Sequence, residues 1–329
     1  MAERPPRRRT WVVGLGLAAL ALLPVYAAAT DDPYLLSLGS RMLIYALAAV
    51  SLDLLIGYAG QISLGHAAFF GIGAYVAGIA TYHDQYGDRF LGLVAGSNEA
   101  LLLWPLALAV TALVALPFGL LSLRTGGAYF IMLTLALAQM LFFLFTSLSA
   151  YGGADGISLW QRNRLPELDT GNDRVFYYLC LGLLVGFVGL CRRLVDSRLG
   201  MVIRGCKQNE RRLRALGVST LPYKLAWFVL AGAGAGLAGA LLCNQSGYVS
   251  PSLLHWTQSG ELMVMVLLGG LGTLYGPVLG AVTLLLLEET LTRFTEHWQL
   301  LLGPLLLAVV LFARRGLFGL LAGPDARDG

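Results

Sequence analysis

Three hydrogen-bonding side chains lie within one apolar, glycine-rich stretch of the sequence. Gln61, Ser63 and His66 fall inside the run "GYAGQISLGHAAFFGIGAYVAG", residues 57–78, which also holds six glycines. If this run is helical, Ser63, His66 and Ala67 share one face, because residues three or four apart are neighbours on a helix. Amide, hydroxyl and imidazole groups can hydrogen-bond a polar solute, so one interpretation is that they line a translocation path. The alternative is a tightly packed helix in which they only bond nearby backbone.

Two carboxylates in other apolar runs are further candidates for such a path. An ionisable residue inside a membrane is a functional candidate by default, and Asp53 meets that condition unless it lies at the wet interface. Glu261 comes near the start of a short apolar stretch, residues 259–270, where a carboxylate also suits the positive end of a helix dipole. Transporters place their paths at broken spans. We predict helix breaks at five glycines: Gly57, Gly60, Gly269, Gly270 and Gly272.

Other chemistries have little support in the sequence. The four histidines and four cysteines are scattered, with no C-x-x-C or H-E-x-x-H pattern, so we predict no metal site. A phosphate-binding loop ends in Gly-Lys-Ser/Thr, but Lys207 follows Cys206 and Lys224 follows Tyr223. A formal charge of +4 is too small to indicate nucleic acid. We therefore expect no cofactor and no enzyme activity in this chain.

The elements that position these residues must lie in a membrane. Of the 329 residues 57% are hydrophobic and only 13% are charged, whereas soluble proteins carry about 25% charged residues. A helix needs about 20 apolar residues to span the hydrocarbon core. The sequence predicts an all-α polytopic membrane protein with about ten segments, the eighth too short to span alone: residues 11–29, 41–56, 61–82, 101–123, 127–148, 175–190, 225–243, 259–270, 273–291 and 298–312.

Basic residues give the predicted orientation, because Lys and Arg collect on the cytoplasmic side. With the N-terminus inside, seventeen of the 23 basic residues are cytoplasmic. The first apolar run has features of a signal peptide, but its length favours an uncleaved span. We predict a basic cytoplasmic N-terminus at residues 1–10, a transmembrane domain at 11–313 and a cytoplasmic tail at 314–329.

The largest cytoplasmic loop, residues 192–224, contains the run "IRGCKQNERRLRALGV", residues 203–218. This run predicts a short basic helix that stops at Gly217, the usual place for a C-terminal glycine. Its charge is either a topology signal or part of a docking surface for a cytoplasmic partner. Composition alone does not separate the two interpretations.

Five segments together resemble the permease subunits of branched-chain amino acid ABC importers, in particular the longer of the two permeases. They are "GYAGQISLGHAAFFGIGAY", "TGGAYFIMLTLALAQ", "GGADGI", "QNERRLRALGV" and "ELMVMVLLGGLGTLYGPVLGA", and the resemblance covers residues 40–312. In that family the cytoplasmic loop couples to the ATPase through a Glu-Ala-Ala sequence and a downstream glycine. Glu210 and Gly217 occupy those places, but Arg211 and Arg212 replace the alanines. The coupling residues implied here are Arg204, Asn209, Glu210, Arg211, Leu216 and Gly217.

The resemblance implies a passive translocation subunit in a bacterial cytoplasmic (inner) membrane, forming half of a path for branched-chain or other hydrophobic amino acids. The implied partners are a related permease subunit, two cytoplasmic ABC ATPases, an extracytoplasmic solute-binding protein and membrane lipid. One alternative is an importer of urea or short amides. Another, of a different class, is a secondary transporter coupled to ions through Asp53, Glu261 or His66.

Overall fold

The computed structural model describes residues 7–30, 33–87, 89–90, 94–166, 168–294, 297, 300, 303–304 and 316–322. These residues are mainly helical: α1 (Arg7–Thr30), α2 (Pro33–Asp53), α3 (His66–Tyr86), α4 (Ala100–Ser122), α5 (Ala128–Ser147), α6 (Asp173–Val195), α7 (Arg198–Ala215), α8 (Thr220–Ser246), α9 (Trp256–Gly269), α10 (Gly276–Phe294) and α11 (Gly316–Ala322). A π-helical turn, Leu54–Tyr58, extends α2. Three short 3-10 turns lie at Ser149–Tyr151, Gly153–Asp155 and Pro251–Leu254.

The strands are short and form two antiparallel pairs. Strand β1 (Arg89–Phe90) pairs with β2 (Val94–Ala95), with Arg89 opposite Ala95. Strand β3 (Ile157–Ser158) pairs with β4 (Tyr248–Val249), with Ile157 opposite Val249. The second pair ties the loop after α5 to the end of α8.

The structure confirms that the predicted segments are helical wherever it describes them. Nine of the ten predicted segments coincide with a helix, and the tenth, residues 298–312, lies largely outside the described residues. Five helices are long and apolar enough to cross a membrane: Tyr34–Tyr58, Ala100–Ser122, Ala128–Ser147, Asp173–Val195 and Thr220–Ser246. The protein is therefore an all-α, multi-pass membrane protein.

Helix α2 lies at the centre of the bundle. Almost every residue from Leu38 to Tyr58 is buried, and α6, α8, α9 and α10 all pack against this helix. Helices α4 and α5 instead expose large apolar side chains such as Leu113 and Phe143. Such surfaces are typical of helices that face lipid or another membrane subunit, because neither requires polar groups.

Helices α3 and α8 approach each other through glycines. A Cβ on Gly73 would overlap the carbonyl of Gly236, and a Cβ on Gly239 would overlap the carbonyl of Phe70. Small residues spaced four apart, such as Gly232 and Gly236 of α8, are typical of this close helix packing. The glycines of α8 thus bring its backbone into contact with that of α3.

A buried polar cluster near the C-terminal ends of α3 and α8 fixes the loop between α5 and α6. The Asn163 amide donates to Thr81 Oγ1 at 2.8 Å and to Asn98 Oδ1 at 2.8 Å. Asn244 of α8 donates to Asn163 Oδ1 at 2.7 Å and accepts from the Asn163 backbone N–H at 2.7 Å. Because these groups satisfy each other, one loop residue joins the ends of α3 and α8.

The predicted orientation has a direct test by cysteine labelling of intact cells. Ser158 and Met201 are both exposed, at opposite ends of the bundle. In a Cys206→Ser background, which removes the one native cysteine that is not buried, an impermeant thiol reagent is expected to modify Ser158→Cys and to leave Met201→Cys unmodified. Labelling of Met201→Cys from outside would reverse the predicted orientation.

Candidate functional site

The two predicted helix breaks lie against each other. After the π-helical turn, residues 59–65 are non-helical until α3 begins at His66, and residues 270–275 link α9 to α10. A Cβ on Gly57 would lie 2.5 Å from the Gly272 nitrogen, so only glycine fits there. The breaks are 215 residues apart in sequence, from Gly57 to Gly272, yet they form one site.

Asp53 joins the two breaks. It is fully buried in the last turn of α2, and its Oδ1 accepts a hydrogen bond from the Gly272 backbone N–H at 2.9 Å. Trp227 Nε1 donates to the Leu54 carbonyl in the π-helical turn at 2.6 Å. A carboxylate that accepts from backbone N–H stabilises irregular backbone, which must be satisfied inside the protein at membrane depth. Asp53 therefore positions the backbone of the second break at Gly272. Its predicted role in the translocation path stays a prediction.

The expectation that Ser63, His66 and Ala67 share a helical face is wrong. In a helix that began at Gln61, the Ala67 N–H would donate to the Ser63 carbonyl; instead it donates to Ser259 Oγ of α9 at 2.8 Å. Helix α3 consequently starts at His66, and Ser63 lies in the preceding non-helical segment. Ser259 thus satisfies the start of α3 from another half-helix.

The three polar side chains of this segment have different surroundings. Ser63 and His66 are fully buried; Ser63 Oγ accepts from the Gly65 N–H at 3.2 Å, and His66 Nε2 is hydrogen-bonded to Ser51 Oγ at 2.8 Å. Gln61 borders a cavity of about 310 Å³ beside α7. The structure therefore brings Gln61 to an open space and places the other two among packed helices, while a path role for all three stays a prediction.

Glu261 lies deeper in its helix than the sequence indicates. Because α9 begins at Trp256 rather than at Ser259, Glu261 is in the second turn and outside the reach of a first-turn dipole effect. Its Oε2 accepts from Gln258 Nε2 at 2.8 Å, and its charge interacts with those of Arg41 and Glu288. These neighbours, rather than the helix terminus, define its environment.

The loop predicted to be cytoplasmic contains helix α7, whose start differs from the predicted one. It begins at Arg198, five residues before the predicted start, because Ser197 caps it by accepting from the Gly200 N–H at 3.5 Å. Asn209 interrupts it with extended backbone (φ −161°, ψ 93°) and caps the second half by accepting from the Arg212 N–H at 3.1 Å. The helix is therefore two short pieces joined at Asn209.

The predicted helix end at Gly217 is confirmed. Gly217 has φ +83°, its N–H donates to the Arg214 carbonyl at 3.0 Å, and the Val218 N–H donates to the Leu213 carbonyl at 3.1 Å. This pair of bonds is the Schellman motif, in which glycine takes the left-handed conformation. Leu216, just before it, is 73% exposed, and Arg211 is exposed as well. Both are accessible to a partner.

Glu210 faces the bundle. It accepts from Lys224 Nζ at 3.0 Å, from Thr220 Oγ1 at 2.7 Å and from Arg214 at 2.7 Å. Burial alone raises the pKa of this carboxyl, but the three hydrogen bonds outweigh it and lower the pKa to about 2. Glu210 thus fixes α7 to the start of α8, while its role in ATPase coupling stays a prediction.

Lys207 connects α7 to the breaks, and it is a residue that the sequence analysis did not select. Its Nζ donates to the Gly57 carbonyl, and its stem packs against Gly60. The chain has only two lysines, Lys207 and Lys224, and both bond across this junction; their rarity is the signal that was available. A continuous set of contacts therefore leads from α7 through Gly57 to Gly272.

The part of the chain that the structure describes contains no candidate metal-binding site. No group of three or more His, Cys, Asp or Glu side chains is close enough there to hold an ion. The site is a polar junction between the helix breaks and helix α7. Such a junction can transmit movement.

Comparison with known proteins identifies a family for the chain. The family model described as "Branched-chain amino acid transport system / permease component" matches residues 34–310. The chain is 28% identical over 327 residues to the high-affinity branched-chain amino acid transport system permease protein LivM of Salmonella typhimurium, with 91% of this chain and 74% of LivM covered. It is 26% identical over 299 residues to the corresponding protein BraD of Pseudomonas aeruginosa, with 84% and 91% covered.

A third relative carries a different name. The autoinducer 2 import system permease protein LsrC of Salmonella typhi is 26% identical over 322 residues, with 91% of this chain and 84% of LsrC covered. No solved structure matches the chain. Because the family match extends over most of the sequence and the helices form a multi-pass bundle, the chain belongs to the family of branched-chain amino acid transport system permease components.

Proposed function

We propose that the chain is the permease subunit of an ATP-driven importer in a bacterial cytoplasmic membrane, where it forms half of the path for branched-chain or other hydrophobic amino acids. Its partners in this proposal are a related permease, two cytoplasmic ABC ATPases and an extracytoplasmic solute-binding protein. The observation that carries the proposal is the family match combined with the contact between α7 and the paired breaks. Family membership indicates the class of transporter. The contact offers a path by which movement of α7 can reach the helix breaks.

The route has two branches from one helix. When the ATPases close, they displace the exposed side of α7, which includes Arg211 and Leu216. Glu210 transmits that displacement to α8 through Lys224, and Lys207 transmits it to Gly57. Asp53 then carries it to Gly272. This chain contributes no chemistry to hydrolysis, and its task is to change shape.

The cargo is proposed from the names of the relatives. LivM and BraD are named for branched-chain amino acids, whereas LsrC is named for autoinducer 2, at 26% identity. Similar identities to permeases with different cargoes mean that overall similarity does not set the substrate. Amino acids are preferred because the family description and the first relatives agree on them. Urea or a short amide is the competing outcome.

Reconstitution tests the proposal. The chain is purified in mild detergent with its co-purifying subunits, placed in proteoliposomes with the binding protein, and assayed with radiolabelled leucine. Uptake is expected to require ATP in the vesicle lumen, which corresponds to the cytoplasm. Uptake is expected to stop when a non-hydrolysable analogue replaces the ATP. Uptake driven by a proton or sodium gradient without ATP would instead establish a secondary transporter, and uptake of urea but not leucine would correct the cargo.

A further inference from the structure

An apolar cavity lies between four helices at the end of the bundle where the breaks lie. Its walls come from α1, α6, α10 and α11, and its volume is about 340 Å³, within the usual range for small-molecule sites. We call it the α1–α6 cavity. Apart from Arg192 and Tyr275, every residue that lines it is apolar or glycine. Such a lining offers few hydrogen bonds to a polar solute and is suited to a hydrocarbon chain.

The four helices enclose a slot between them. Helices α6 and α10 both pack against α2, while α1 packs against α6 and α11 packs against α10. Phe318 of α11 is fully buried and forms a second hydrophobic cluster with Val12 of α1 and Leu279 of α10. Because four helices already supply the walls, the space suits a thin, flexible chain better than a further helix, which is about 10 Å across.

The length of the cavity matches one leaflet of a bilayer. Its lining residues on α6 run from Leu184 to Arg192 and recur every three or four residues, the spacing of one helix face. Eight residues at 1.5 Å per residue extend over about 12 Å. One leaflet contributes half of a hydrocarbon core of about 30 Å, or about 15 Å. The slot therefore has the length that an acyl chain needs.

Arg192 lies at the polar end of the cavity. It is exposed in the last turn of α6, on the side that the predicted orientation makes cytoplasmic. Among the residues that the structure describes, the basic members of the ion pairs within 4.0 Å are Arg162, Arg214, Lys224 and Arg293. Arg192 has no carboxylate partner among them, and a guanidinium is suited to bind the oxygens of a phosphate.

Two glycines widen the cavity. Gly16 of α1 and Gly189 of α6 both line it, and nothing lies within 4 Å of a Cβ placed on either. Glycine inside a helix costs about 1 kcal/mol relative to alanine. At Gly73 and Gly239 that cost accompanies the close approach of α3 and α8. At Gly16 and Gly189 no such contact is made, so the missing side chains leave room for a ligand.

We propose that the α1–α6 cavity binds an acyl chain of an anionic phospholipid, whose phosphate is held by Arg192. An anionic lipid is preferred to a zwitterionic one because no acidic side chain lines the cavity to bind a choline or ethanolamine group. Tyr275 belongs to the segment between α9 and α10, so the bound lipid also contacts the second break. The inference goes beyond the proposed import function and does not depend on the cargo.

Photo-crosslinking tests the site. The chain, purified with its co-purifying subunits, is relipidated with phosphatidylglycerol that carries a diazirine in one acyl chain, and labelled peptides are mapped by mass spectrometry. Label is expected in the segments of α1 and α6 that line the cavity. Unlabelled phosphatidylglycerol is expected to compete at about a fivefold lower concentration than phosphatidylcholine, the effect of one arginine near anionic lipid. Equal competition by the two lipids, or no label in the cavity, would overturn the proposal.

Matched variants assign the two contacts. Arg192→Gln is expected to remove the preference for phosphatidylglycerol, whereas Arg193→Gln, at an exposed arginine that does not line the cavity, is expected to keep most of it. Gly189→Leu is expected to fill the cavity and abolish its labelling. Gly186→Leu is the control, because a Cβ there also meets nothing within 4 Å but Gly186 lies outside the lining. Unchanged labelling in a monodisperse Gly189→Leu complex, or an unchanged lipid preference in Arg192→Gln, would refute the site.

Discussion

Valine at position 239 is expected to prevent folding of the bundle. A Cβ at Gly239 overlaps the Phe70 carbonyl and lies 3.0 Å from the Ala74 nitrogen. Both are backbone atoms of α3, so no side chain can rotate away to make room. Overpacking a core costs about 1–3 kcal/mol and occasionally more, and here the whole α3–α8 contact must separate. We expect little or no monodisperse protein in fluorescence-detected size-exclusion chromatography.

Gly186→Val is the matched control for this prediction. Gly186 is also a mid-helix glycine, in α6, but nothing lies within 4 Å of a Cβ placed there. Both variants carry the same change in helix propensity, so their difference isolates the steric overlap. If Gly239→Val and Gly186→Val give equal yields and equal midpoints of thermal unfolding, the close approach of α3 and α8 is not required.

Methionine at position 207 is expected to uncouple the importer without unfolding it. Met keeps an unbranched apolar stem against Gly60 but cannot donate to the Gly57 carbonyl. A hydrogen bond from a charged donor contributes about 1.5–3 kcal/mol, and about 1.4 kcal/mol is a tenfold change. We expect leucine uptake to fall about tenfold or more while ATP hydrolysis by the complex continues, measured in the same proteoliposomes.

Two further variants show whether transport requires the positive charge of α7 or the specific hydrogen bond from Lys207 to Gly57. Arg198→Met removes an exposed charge from the same helix, α7, and is expected to transport at the wild-type rate. Lys207→Arg retains a cationic donor and is expected to keep most of the uptake. Transport by Lys207→Met at the wild-type rate would show that α7 moves the breaks by a different route.

Hydropathy and glycine spacing predicted the spans and one helix end, but not where the broken helices begin. Gly217 is a local signal, since its left-handed conformation serves the helix directly before it. The start of α3 depends instead on Ser259, which accepts from Ala67 across 192 residues of sequence. A residue pattern shows where apolar side chains recur and does not show which distant group satisfies a given N–H.

The candidate site was only partly predictable, again because a residue pattern does not show which distant groups contact each other. Asp53, Gly57 and Gly272 were selected from the sequence, and the structure connects them to Lys207 through two hydrogen bonds. Lys207 was missed because its importance comes from a distant element, the Gly57 carbonyl, to which its Nζ donates across 150 residues of sequence.

The Glu210 network also determines how the complex responds to acidity. A carboxyl whose pKa is lowered from 4.5 to about 2 contributes its full stabilisation at every pH well above 4.5, and this contribution is lost progressively as the pH falls from 4.5 through about 2. Neutral pH lies well above that range, so Glu210 is ionised there and its bonds to Lys224 and Thr220 hold α7 against α8. Acidification down to about pH 5 is therefore expected to leave this connection intact.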